Sequence, residues 1–197
     1  ERVPWADAVN HTKFILHGAG YSTRYQNERS RRDHGIESDD YLCAEMVTGH
    51  ALMTDWGAGV RGAVRKYWLA QDFVRSVAGD EIEGVDFDGG DIHRLTVRWC
   101  SGAQVWVNRS ASDWAAGGKV IPTDGFLARN GDIESSIERI GGVIVERSRG
   151  PGRSYVNGRA NDRDPPLPVR PSAGGLEDLG GGRFRLKVNW DVGGPVG

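Results

Sequence analysis

The chain has 197 residues, of which 38% are hydrophobic and 29 are glycine, and its formal net charge is −2. That length suits one domain or two small ones, the glycines imply many turns, and the near-neutral balance gives a nucleic-acid partner no overall electrostatic support. No run reaches the roughly 18 to 20 apolar residues of a membrane span, and the opening Glu1-Arg2-Val3-Pro4 lacks the basic-then-apolar order of a signal peptide.

In chain order, Lys13 to His17 is the first apolar run, with Phe14 to Leu16 its strand candidate, and it ends in Gly18-Ala19-Gly20. A polar loop follows from Tyr21 to Ser38, the manner in which functional loops leave the carboxyl end of a parallel strand in α/β folds. It contains a local basic cluster, Arg24, Arg29, Arg31 and Arg32, which reads first as a solvated loop. Ser38 is placed to cap a helix, Asp39 and Asp40 suit its first turn, and Leu42, Met46, His50 and Met53 continue one face at steps of three and four. Asp55 to Gly59 breaks the pattern. A second helix is predicted from about Arg61 to Val77, with Val64, Tyr67, Trp68, Phe73 and Val77 apolar and needing a sheet or other helices to cover them.

Near Gly79 the period changes from helical to two. Leu95, Val97 and Trp99 alternate with Arg94, Thr96 and Arg98, and a turn at Ser101-Gly102 leads to Val105 and Val107. If the loop is Ser101 to Ala103, Trp99 faces Val105 and Val97 faces Val107, with all the aliphatics on one face. Trp106 then falls on the polar face with Thr96, Arg98, Gln104 and Asn108. A second hairpin turns at Gly141-Gly142, pairing Ile137 to Ile140 with Val143 to Val145, and a third turn signal, Asn157-Gly158, follows a short strand at Tyr155-Val156. Such regular short strands predict an antiparallel sandwich. Asp164 to Pro171 holds four prolines in eight residues and reads as a linker. Phe184, Leu186, Val188 and Trp190 form one more half-buried strand, without a partner downstream. The fold class is therefore α+β, in three segments: 1–79, an incomplete α/β part; 80–163, a β-sandwich; and 164–197, linker and terminal strand.

Two cysteines, Cys43 and Cys100, lack the paired spacing of a zinc site or disulfide framework and read as buried thiols. Asn10-His11-Thr12 and Asn108-Arg109-Ser110 match the glycosylation sequon, a motif short enough to arise by chance. No nucleophile–base pattern, phosphate loop or metal-ligand spacing is present, so no metal or cofactor is expected. The chain reads as soluble, which suits a secreted or periplasmic location.

The order strand, polar loop, two helices and Trp-containing sandwich resembles the end of a glycoside hydrolase, the last part of a (β/α)8 TIM-barrel catalytic domain followed by its C-terminal β-sandwich. The residues that carry the resemblance are Phe14-Ile15-Leu16-His17-Gly18, Ser38 to Leu42 entering Thr48 to Met53, and Val105-Trp106-Val107-Asn108 followed by the Pro-x-x-Gly-Phe turn at Pro122 to Phe126. It covers most of residues 13 to 160. It implies a carbohydrate substrate and, as partner, the remaining catalytic domain or another chain.

Glycoside hydrolysis uses two carboxyl groups about 5 to 9.5 Å apart. The candidates are Asp33, Glu37, Asp39 and Asp40, and against that role stands a plain one: Asp39 and Asp40 stabilise a helix N-terminus, while Asp33 and Glu37 pair with nearby arginines. The resemblance implies that most of the catalytic pair comes from earlier strands, so this chain is not expected to be active alone. Tyr21, Arg24, Tyr25 and His34 are the candidate substrate-binding residues, the tyrosines for stacking on sugar rings together with the nearby Trp5. His17 stands at a strand end, whereas His50 on its helix face reads as a core histidine. The alternative from another class is a non-catalytic β-sandwich module, carbohydrate-binding or structural, which would hold Trp106 and Trp114 on an open platform.

Overall fold

A computed structural model describes residues 5–13, 33–54, 60–159, 169–178 and 184–192. The predicted strand at Phe14 to Leu16 and the loop residues Tyr21, Arg24 and Tyr25 lie outside the described residues.

Among the described residues the helices α1 (Trp5–Asn10), α2 (Asp39–Thr48) and α3 (Val60–Val77) come first. The Ser38 hydroxyl accepts from the Tyr41 amide at 3.1 Å, and Asp39 and Asp40 occupy the first turn of α2, as the capping pattern required. Gly49 closes α2 at φ 66°, its amide donating to the Glu45 carbonyl. A side chain there would also meet the His11 Nε2 at 2.9 Å. Because α2 stops at Thr48, His50 and Met53 lie beyond the helix rather than on its face. In α3, Leu69, Ala70, Phe73, Val74 and Val77 are buried along one stripe.

The β-part is built from β1 (Ile82–Phe87), β2 (Arg94–Trp99), β3 (Gln104–Asn108), β4 (Trp114–Ala116), β5 (Lys119–Ile121), β6 (Gly125–Asn130), β7 (Ile133–Ile140), β8 (Val143–Gly150) and β9 (Arg153–Gly158). Seven of these form one sheet in the order β1-β2-β3-β6-β7-β8-β9, while β4 and β5 pair separately. From β1 to β8 every neighbouring pair is antiparallel. The fold class is α+β.

One face of the sheet carries the main core, where Leu95, Val97, Trp99, Val105, Val107 and Phe126 pack with Leu42, Met46, Phe73 and Val77 of α2 and α3. The Phe73 and Trp99 rings meet edge to face, 5.6 Å apart at 79°. On the opposite face, Trp106 and Leu127 pack with Trp114 and Ile121 of the β4–β5 hairpin in a second, smaller core.

The facing of β2 and β3 is as predicted, but the register differs by one pair. Val97 pairs with Val105 and Leu95 with Val107, and the Trp99 amide donates to the Ala103 carbonyl at 2.9 Å. The loop is thus Cys100 to Gly102, with Gly102 at φ 88°. A shift of two residues keeps every side chain on its face, which is why alternation alone could not distinguish the two registers. The Gly141-Gly142 hairpin forms as expected, with Ile140 opposite Val143 and Glu138 opposite Val145. Beyond it, the link from β8 to β9 is made at Pro151-Gly152. Cys43 is buried, whereas Cys100 is exposed at its hairpin turn, which corrects the expectation of two buried thiols.

Residues up to Asn157 form one compact unit and Gly158–Gly197 another. Within the second, β10 (Val169–Asp178) pairs antiparallel with β11 (Phe184–Val192). The alternating segment at Phe184 to Trp190 therefore has a partner upstream, and the linker expected through Pro171 gives way to a strand at Val169. Pro171 stands opposite Trp190, a position that a two-stranded ribbon tolerates because both of its strands are edges.

Val97 is fully buried and Thr96 is half-buried on the opposite face. Val97→Asp should cost at least about 3 kcal/mol and unfold the first unit, and Thr96→Asp at most about 1 kcal/mol. Thermal melts of the two variants check this, since equal destabilisation would contradict the facing.

Candidate functional site

A cleft of about 540 Å³ opens where the first turn of α2 meets the loops that leave β3 and precede β6; its polar lining includes His34, Asp40, His93, Arg109, Thr123 and Asp124. The geometry is built from the sheet outward. Asn108, the last residue of β3, is fully buried. Its Nδ2 donates to the Ser112 and Ile121 carbonyls, each at 2.8 Å, and its Oδ1 accepts from the Ser110 amide at 3.0 Å and the Ser110 hydroxyl at 2.6 Å. Asn108 thus folds the following loop onto itself. In the folded chain it is a structural residue with no room for a glycan, despite its sequon.

The next residue is aimed by that loop. Arg109 donates through Nε and Nη2 to Asp40 Oδ1, at 2.8 and 2.5 Å, and its amide bonds the His93 carbonyl at 2.7 Å. The other oxygen of Asp40 lies 3.0 Å from His34 Nδ1. One carboxyl group is therefore held between a guanidinium and an imidazole, an arrangement that fixes its orientation through charge-assisted bonds.

Asp124 reaches the same cleft from the turn that begins β6. The Gly125 amide bonds the Pro122 carbonyl at 2.9 Å, and Asp124 takes φ 55°, the positive value that a type II turn requires at this position. Gly125 is obligatory, since an added Cβ would come within 2.7 Å of Pro122 and 2.8 Å of the Ile137 carbonyl. From below, the buried Cys43 of α2 donates its S–H to the Gly125 carbonyl at 3.5 Å. Burial pushes the Asp124 carboxyl above the ordinary aspartate value, and the charges of Asp40 and Asp39 push it further, against the opposing Arg109 and His34. The cleft thus offers a carboxyl group that holds its proton more tightly than an ordinary aspartate beside one pinned by a guanidinium, together with imidazole and hydroxyl groups. Such a lining can donate and accept hydrogen bonds to a polyhydroxyl ligand and can pass a proton.

Of the residues singled out from the sequence, His34 and Asp40 are brought together here. Asp39 and Glu37 belong to a different network: Arg65 donates to Asp39 Oδ1 at 2.5 Å, to the Glu37 carbonyl at 3.4 Å and to Glu146 Oε1 at 2.8 Å. Asp33 is exposed and is not among the residues that line the cleft. Arg109, His93 and Asp124 were not expected as site residues. The available signal was the Val-Asn pair ending a strand, next to Arg109, and the Asp-Gly pair in the Pro122 turn; the glycoside hydrolase resemblance used Val-Asn and the turn but not Arg109.

Glu146, only 1% exposed, collects Arg65, the Tyr155 hydroxyl at 2.8 Å and Asn157 at 3.1 Å. Burial and then the Glu146 charge push the Tyr155 hydroxyl from 10.0 to about 12. The folded chain holds this proton more tightly than the unfolded one. Its contribution to stability is therefore complete below pH 10 and is lost as pH rises through about 12. Spectrophotometric titration should show one late-ionising tyrosine that Tyr155→Phe removes, and the variant's stability should fall less steeply over that alkaline range.

No protein family, curated protein or solved structure matches this chain.

Proposed function

We propose that the chain is the C-terminal portion of a carbohydrate-active glycoside hydrolase, in which a partial TIM-barrel-like segment supplies part of the substrate site and a β-sandwich packs behind it. The observation that carries this reading is the cleft, where Asp40 and Asp124, two carboxyl groups in unlike surroundings, share a hydroxyl-binding lining with His34 and Arg109. The role of the β-part is to hold this cleft open: Asn108 and the Pro122 turn fix two of its walls.

A second observation supports an incomplete catalytic unit. Along α3, Val60, Val64, Tyr67 and Trp68 are 64, 52, 50 and 39% exposed, at helical spacing on one face. Arg153 lies over the Tyr67 and Trp68 rings at 4.8 and 5.3 Å, leaving the aliphatic end bare. In the intact enzyme this stripe packs against the remaining catalytic elements. Trp106 does not decide between this reading and a non-catalytic module: it forms no open platform, since Trp114 is 7% exposed and packs with it, and its cover is the chain's own β4–β5 hairpin rather than the helical layer.

Isothermal titration with a panel of neutral mono- and oligosaccharides tests the reading. Binding should weaken at least about tenfold in Asp40→Asn, Arg109→Gln and Asp124→Asn, the loss expected when a charge-assisted bond is removed. The chain alone should not turn over aryl glycosides. Turnover that disappears in Asp40→Asn would place the whole reaction in this cleft, and absence of any saccharide binding would sink the proposal. Sedimentation should show concentration-dependent association that Val64→Glu suppresses.

A further inference from the structure

A second cavity, of about 400 Å³, lies away from the carboxyl cleft, where the chain after α1 and the ends of α2 and α3 meet; it is lined by His11, Lys13, His50, Gln71 and Arg75 among others, with no carboxylate among the described residues of its wall. Four basic side chains around one concavity is an unusual concentration in a chain of net charge −2.

Among the described residues, Arg65, Arg98, Arg109, Arg129, Arg139 and Arg153 each form an ion pair, whereas Arg61 and Arg149, like Arg75, do not. Among the described residues, Lys13 and Arg75 form neither an ion pair nor a hydrogen bond through their side chains. Both nonetheless face the same cavity.

Cations often gather at helix C-termini to meet the last carbonyls. Here those carbonyls are already engaged. The Glu45 carbonyl takes the Gly49 amide at 2.9 Å and the Thr48 hydroxyl at 3.1 Å. In α3, the Arg75 carbonyl takes the Ala78 amide, the Val77 carbonyl takes the Asp80 amide at 3.0 Å, and Asn130 covers Ser76. The basic side chains are not consumed as caps.

The wall itself is preset. His11 is 8% exposed and donates from Nδ1 to the Asp80 carbonyl at 2.8 Å, which fixes the ring. The Asp80 carboxylate accepts from the Glu81 and Ser101 amides at 2.9 and 3.0 Å and does not line the pocket. Gly49 keeps the space beside His11 Nε2, since any Cβ there would stand 2.9 Å from it. Donors therefore come from two sides: Lys13 after α1, and Gln71 with Arg75 one turn apart on α3.

We propose that this cavity binds a tetrahedral oxyanion, a phosphate or sulfate group. A tetrahedral group presents acceptors out of plane, toward both sides at once, whereas a carboxylate presents them in one plane. The guanidinium of Arg75 and the ammonium of Lys13 supply the charge, and the amide of Gln71 supplies a neutral donor. The site does not depend on the carbohydrate reading of the other cleft, and either can fail without the other.

Titration calorimetry of the full chain with sodium phosphate and, separately, sodium sulfate, each against chloride of matched ionic strength, tests it. Saturable binding of one or both anions is expected, and the arm that binds identifies which group the site prefers. Lys13→Gln and Arg75→Gln should each weaken it about tenfold, the double variant should abolish it, and Arg75→Lys should fall between. Arg149→Gln, an exposed cation outside the cavity, should change nothing. Lys13, Arg75 and Arg149 are all exposed, and far-ultraviolet dichroism checks that each variant is folded. Heat no greater than the chloride control, or binding retained in the double variant, would overturn the proposal.

Discussion

Everything described in the first unit depends on the burial of one face of a seven-stranded antiparallel sheet beneath α2 and α3. A sheet that is apolar on one face has to be covered, and each large side chain buried there contributes about 1.5 to 3 kcal/mol. Trp99, Phe73, Phe126, Leu42 and Met46 are all fully buried in this layer. Because α2 is held there along its length, its first turn cannot move, and Asp40 inherits that rigidity. The helices themselves are joined by a buried ion pair: Lys66 Nζ donates to Glu45 Oε2 at 2.8 Å and to the Met53 carbonyl at 2.7 Å, while the Met53 amide donates to Glu45 Oε1 at 2.5 Å. Burial pushes the Glu45 carboxyl up to about 7 even with Lys66 beside it. Such a pair adds little net stability against an apolar substitute, but it admits only one alignment of α3 on the chain after α2.

From that fixed layer the cleft follows by a short series of contacts. Cys43 on α2 bonds the Gly125 carbonyl, which ties the helix to the turn carrying Asp124. Asn108 closes the loop after β3 and sends Arg109 back to Asp40, across 69 positions of sequence. Each contact is local and modest, yet all converge on the same carboxyl group. The second core behind the sheet, with Trp106 and Trp114, holds the β4–β5 hairpin and so the far end of the Asn108 loop, whose Nδ2 reaches the Ile121 carbonyl. The two cores thus act on the cleft from opposite faces of the same strands.

How far the sequence disclosed this differs by element. Period two on Leu95, Val97, Trp99, Val105 and Val107 predicted the buried face correctly, because alternation reports directly on burial. It could not distinguish registers two residues apart, and the turn at Cys100 decided that question. Ser38 and the acidic first turn placed the start of α2, but its end was read too late, since Gly49 outweighed the continuing apolar spacing of His50 and Met53. Half of the cleft was legible, namely His34 and Asp40, which are close in sequence. Arg109 and Asp124 were not, because no pattern of spacing tells where a loop returns across a sheet. Lys13 and Arg75 posed the same problem, being joined only by the packing of α3 against the chain after α1.

Asp124 joins the two levels of description. A non-glycine residue at φ 55° is uncommon, and at this turn position glycine or asparagine serves conformation at least as well. The carboxyl group therefore adds nothing that the turn needs. It is also disfavoured in its charged form by burial and by Asp40 and Asp39 nearby. Aspartate tolerates the left-handed region, so what stands out at this turn is a carboxyl group disfavoured in its charged form by burial and by like charge. Its neighbour Gly125 shows the opposite case, since the close approach of Pro122 and the Ile137 carbonyl leaves no room for a Cβ and packing alone accounts for it. Asparagine at 124 would keep the left-handed conformation while removing the charge, so conformation and chemistry at this turn can be separated by a single atom.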